Sequence, residues 1–143
     1  MVTYNVDDVR MPKFAHRLVS NWIKNVAAKY ACTVGEIAYI FTSDAKILEV
    51  NRQYLGHDYF TDIITFDYTE GGSISGDIFI SLDTVATNAH EYGVSFDDEL
   101  MRVMIHGILH LTGQADKTDD EFRQMKEKEN EALKLLAELT SNS

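Results

Sequence analysis

The chain has 143 residues, 45% apolar and 25% charged, a composition that suits one globular domain spanning 1–143 and excludes a disordered chain. Thirteen basic residues against 23 acidic ones leave a net charge of −10, which excludes a bulk polyanion binder, because phosphate attraction is a Lys/Arg effect. The single cysteine, Cys32, excludes a disulfide framework. The lack of a long apolar run, and of an apolar stretch in Met1–Arg10, predicts a cytoplasmic protein with no membrane segment.

Residues Pro12 to Tyr30 read as a helix, with proline near its start and Val19, Trp22, Ile23, Val26 and Tyr30 as its apolar stripe. Five basic residues and no acidic one fall between Arg10 and Tyr30 (Arg10, Lys13, Arg17, Lys24, Lys29). If RNA binds, this run is the first place to look; a solvated helix face is the plainer reading. Glu36–Thr42 reads as a buried strand, and Ser43 caps a helix through Leu55 with Ala45, Leu48 and Tyr54 facing inward. Strands near Asp62–Tyr68 and Ile74–Ser81 are joined through Gly71-Gly72, which predicts an antiparallel hairpin. Ser81 opens a third helix that Gly93 stops near Tyr92. Ser95 opens a fourth, with Asp97, Asp98 and Glu99 in its first turn and its end near Gly113. The last helix begins around Thr118 and carries Phe122, Met125, Leu133, Leu136 and Leu139. Helices and strands together with an antiparallel hairpin favour α+β.

The chemistry concentrates in His106-Gly107-Ile108-Leu109-His110-Leu111-Thr112-Gly113-Gln114-Ala115-Asp116. Histidines four apart on a helix share one face, as two metal ligands require. Gly113 lets the chain leave the helix and fold back, so that Asp116 can supply a third ligand. Asp119 and Asp120 compete for that role. Three protein ligands and an open fourth position describe a catalytic zinc site. The spacing matches the long metalloprotease pattern, but Gly107 stands where those enzymes carry their glutamate base, so a peptidase of the usual kind is disfavoured. Two histidines packed inside the protein are the plain alternative.

These residues resemble the signature H-G-x-L-H-L-x-G-Y-D-H of the YbeY family, bacterial metal-dependent endoribonucleases that act in ribosomal RNA maturation. The family's N-x-x-[FY]-R-x-x-D-x-P-T-[DN]-V-L-S-F-P segment is matched by Asn51 to Asp67, and its G-D-I-x-I-S strand by Gly76 to Ser81. The resemblance implies a zincin-like α+β domain with a mixed sheet, the hairpin and about five helices. It implies a metal-dependent single-strand endoribonuclease in small-subunit 3′ end maturation and ribosome quality control. One divalent ion, zinc first, would sit on His106, His110 and Asp116. Ribosomal RNA and ribosomal proteins are the implied partners, DNA and membranes are not.

Three departures stand out. Asp116 replaces the family's third histidine, which lowers the net charge of the site by one and favours harder ions such as manganese. Leu55 replaces an arginine that would face the cleft, and His57, two residues on, is the candidate catalytic substitute. The family's prolines are replaced by Phe60 and Asp67. The lost arginine keeps two rivals open: a non-catalytic metal-binding ribosome-assembly factor, and a metallohydrolase with a non-RNA substrate. Thr61, Asp62, Thr65 and Asp77 are expected to hold the strands beside the cleft. The acidic string beyond Asp116, to Glu131, is expected to be a solvated helix face.

Overall fold

The computed structural model describes residues 1–56 and 61–141. The described elements run β1 (Val2–Val6), α1 (His16–Lys29), β2 (Thr33–Thr42), α2 (Asp44–Val50) with a π-helical turn (Asn51–Leu55), β3 (Ile63–Asp67), β4 (Ser73–Ser81), α3 (Leu82–Tyr92), α4 (Phe96–Leu111) and α5 (Asp119–Ser141). The strands form one sheet in the order β1-β2-β4-β3. β1 pairs parallel with β2, β2 parallel with β4, and β3 antiparallel with β4. The fold is α+β with a mixed sheet, and the hairpin predicted from Gly71-Gly72 is the β3–β4 pair. β1 carries no signal of its own, being short and half exposed; its pairing with β2 makes it a strand.

Alternation along β4 sorts the layers. Ile74, Ile78 and Ile80 point to one face and join the main core with Trp22, Tyr39, Phe41, Leu100, Met104 and Ile108. Phe79 points to the other face, with Phe66 and Ile64, and is covered by Ile47 and Val50 of α2. One face thus carries α1, α4 and α5, and the other carries α2. Two buried hydrogen bonds pin the helical layer: Trp22 Nε1 donates to the Ala132 carbonyl at 2.7 Å, and the Tyr39 hydroxyl to the Met104 carbonyl at 2.8 Å. Each partner buried without such a bond would cost roughly 1–3 kcal/mol.

The inward face of α2 differs from the expected one. Ser43 caps the helix as predicted, but Ile47, Val50 and Asn51 are buried, Leu48 is half-buried, and Ala45 and Tyr54 are exposed. The π-helical turn adds a residue to its turn, so the helical spacing does not carry through to Tyr54. Tyr54 packs instead edge-on against Phe66.

Gly107 sets how closely α4 lies on the sheet. A Cβ there would meet side-chain atoms of Ile63 and Ile78 at 3.1 Å. A glutamate at this position would be driven into the sheet, away from any metal. The glycine that removes the protease-like base is therefore a packing device, and it brings the two histidines down beside the start of β3.

Candidate metal centre

Helix α4 presents His106 and His110 one turn apart, their rings edge to face with centroids 4.8 Å apart. Ser95 accepts from the Asp98 backbone N–H at the start of the helix, and three carboxylates occupy the first turn, as its dipole favours. At the other end Gly113 takes φ +106°, a conformation that L side chains rarely adopt. Its N–H donates to the His110 carbonyl, and the Gln114 N–H to the Leu109 carbonyl, both at 3.0 Å. This turn sends the chain back along the helix. Asp116 Oδ2 arrives 3.3 Å from His106 Nε2 and 3.4 Å from His110 Nε2.

These separations test the donor set against an ion. Zinc bonds of about 2.0–2.1 Å at a tetrahedral angle place neighbouring ligand atoms about 3.3–3.4 Å apart. Both measured edges meet that figure, and one atom from each of the three residues lies within 4.8 Å of the others. The three residues could hold a metal ion, and all three line one cavity. Asp119 and Asp120 do not compete: neither lines the cavity, and Asp120 pairs with Arg123 at 2.9 Å.

Glu129 is the residue that the sequence reading misplaced. It lies in the acidic string expected to be a solvated face, yet it is 5% exposed. Its Oε2 stands 2.7 Å from His106 Nδ1, and its Oε1 accepts from Arg102 at 2.8 Å. A proton on Nδ1 leaves Nε2 free to face the ion, so Glu129 sets the ring's tautomer and orientation. Burial drives the His106 pKa down, but the Glu129 hydrogen bond and charge, with Asp116 and Asp62, outweigh it and hold the imidazole above its ordinary value. Burial likewise raises Glu129, but His106 and Arg102 together bring its pKa below the usual range. Only the spacing from Met125 to Ala132, two buried residues that straddle Glu129 on α5, hinted at its inward position.

Substitution of Glu129 should act on the metal more than on the fold. Glu129→Gln keeps the shape and an acceptor, and should weaken metal binding about tenfold; Glu129→Ala should approach a hundredfold. Competition against a chromophoric chelator measures both. Wild-type affinity in Glu129→Ala would remove Glu129 from this role.

A cavity of 370 Å³ holds the three ligand residues together with Asp62, Glu99, Arg102, Lys126 and Glu129. Asp62 does more than brace a strand. Its carbonyl accepts from the Ser81 N–H at 3.0 Å, anchoring it at the start of β3, and the residue lines the cavity. Burial lifts the Asp62 pKa, and the nearby His106 offsets part of that rise. Glu99 is lifted too, by burial first and then by the charge of Asp62. The other predicted residues are scattered. The five basic residues of the Arg10–Tyr30 segment are exposed and none lines the cavity. Leu55 ends the π-helical turn, 44% exposed. His57 lies outside the described residues.

A mixed sheet under a helix that carries two histidines one turn apart, closed by a carboxylate on the following turn, is a zincin-like α+β arrangement with a site that could hold a metal ion. The family profile described as Endoribonuclease YbeY matches residues 2–137, and the chain belongs to that family, whose members are hydrolases. A protein named Endoribonuclease YbeY from Bacteroides thetaiotaomicron is 62% identical over 132 residues, covering 92% of this chain and 96% of that protein. One of the same name from Porphyromonas gingivalis is 46% identical over 137 residues, covering 96% and 91%. A solution structure from Thermotoga maritima superposes with a TM-score of 0.68 at 28% identity, over 99% of this chain and 93% of that one. No described helix is long and apolar enough to cross a membrane.

Proposed function

We propose that this protein is a metal-dependent endoribonuclease that cuts single-stranded ribosomal RNA in the cytoplasm, in maturation of the small-subunit 3′ end and in ribosome quality control, with zinc on His106, His110 and Asp116. The observation that carries this is the three-ligand geometry set beside a buried carboxylate and a cation in one cavity. When bound, a divalent ion supplies a Lewis acid and a water of lowered pKa. The chain's own residues do the rest. Glu129 holds His106 in place. Asp62 takes the proton from the attacking water, a role that burial suits by making it a stronger base than an exposed aspartate. Arg102, one turn before His106 and fixed by Glu129 and by Asn130 at 2.8 Å, supplies positive charge near the scissile phosphate. That is the charge the arginine lost at Leu55 would have brought; His57 is a second candidate for it.

The exposed Leu55 favours a second reading, a metal-binding assembly factor that grips ribosomal RNA or a ribosomal protein without cutting. One experiment separates the readings. A single-stranded fragment spanning the ribosomal RNA 3′ end is incubated with native, chelator-stripped and zinc- or manganese-reloaded protein. Cleavage that vanishes on stripping and returns on reloading is expected. Binding without turnover by the loaded protein would establish the assembly factor, and neither binding nor cleavage would leave a non-RNA substrate.

A further inference from the structure

The cavity opens in two directions. On one side a hollow of 260 Å³, lined by Ile63, Thr65, Asp67, His110 and Leu111, shares only Ile63 and His110 with it. On the other side lies a groove of 1070 Å³ between the start of α4 and the length of α5. Groove and cavity hold five residues in common, Tyr92, Glu99, Arg102, Phe122 and Lys126, so they are one continuous depression. At the junction stand two large aromatic side chains that the core does not use. Tyr92, from the end of α3, is 64% exposed, and Phe122, from the first turn of α5, is 58% exposed. Lys126 Nζ lies 5.6 Å from the Phe122 ring centre.

The groove's charges cancel, Asp98 and Glu99 against Arg102 and Lys126, and its floor is apolar through Val94, Met101 and Leu133. With its charges balanced, such a surface offers a strand's phosphates little beyond Arg102 at its inner end. It suits the faces of unpaired bases, which stack on aromatic rings whatever their sequence. From Phe122 to Thr140 the α5 wall runs about 27 Å at ~1.5 Å per residue, enough for several nucleotides.

We propose that this groove is the path of the single-stranded RNA on one side of the scissile phosphate, and that Tyr92 and Phe122 stack the bases next to the metal centre. The inference rests on the ribonuclease reading above and adds the substrate path and its two positioning residues. It requires unpaired bases, because the bases of a duplex are stacked on one another and do not offer their faces to Tyr92 and Phe122. Because stacking and not ion pairing sets affinity here, the contribution of these two residues is insensitive to salt.

The test uses metal-loaded full-length protein and a single-stranded RNA ten-mer with 2-aminopurine beside the cleaved bond. Stopped-flow emission reads stacking before chemistry, and product formation is followed in parallel. Wild type should quench the probe. Tyr92→Leu and Phe122→Leu should each abolish most of the quench and raise KM about tenfold with little change in kcat, metal content or the salt slope. Phe122→Tyr should restore both the quench and KM. Since both side chains are exposed, circular dichroism should be unchanged. Cleavage without quench, or leucine variants that match wild type, would overturn the inference alone and leave the apolar wall to a protein partner. Absence of both binding and cleavage by the loaded wild type would overturn the ribonuclease reading and this inference with it.

Discussion

His106→Ala is expected to leave purification without its metal ion and without cleavage activity. The side chain removed is one of three donors whose spacing matches a tetrahedral edge. His110 and Asp116 alone make a two-donor site, and two donors rarely hold zinc against water. The loss should not unfold the helix, because alanine favours helix and Glu129 keeps its bond to Arg102. Elemental analysis reads the result directly, with circular dichroism as the control. Equal metal content in variant and wild type would sink the assignment of the centre.

The second large effect is expected at Asp62. Asp62→Asn keeps the size and the hydrogen-bonding shape but cannot take a proton near neutrality. Removing a positioned general base costs typically about 10²–10⁴-fold in rate. The variant should therefore cleave RNA at least a hundredfold more slowly while carrying its full complement of metal, since Asp62 is not among the three grouped ligand candidates. That split between metal content and rate separates Asp62 from His106. A rate within a few-fold of wild type would mean that the proton goes elsewhere, and Glu99, the other carboxylate of the cavity lifted by burial, would be the next to substitute.

The two residues also differ in how far they could be read from the chain. The histidine pair and the turn at Gly113 are local: a spacing of four on a helix, a glycine after it and a carboxylate three further on place donors together with no help from distant sequence. Asp62 and Glu129 are not local. Glu129 bonds His106 from the middle of α5, and Asp62 joins the same cavity from the start of β3. In the sequence, Asp62 looks like a strand-flanking residue and Glu129 like one acid among many. The Arg10–Tyr30 cations show a different limit. The run without acidic residues marks an exposed face, but only the fold shows that the helix turns its apolar stripe to the core and leaves those cations away from the cavity.

What the sequence determined by itself was therefore the set of short-range patterns: the α+β class, the β3–β4 hairpin, the caps of α2, α3 and α4, and the grouping of His106, His110 and Asp116. Each depends on residues within a turn or two of one another, where backbone geometry leaves few choices. Tertiary structure alone decided the parallel pairing of β1, the buried face of α2, the partner of His106 and the walls of the cavity. Those depend on which distant elements share a layer. Burial then changes the chemistry of a side chain that the sequence cannot distinguish from its exposed neighbours: the Glu129 carboxylate has its partners on α4, while the exposed acids beside it in the chain meet water.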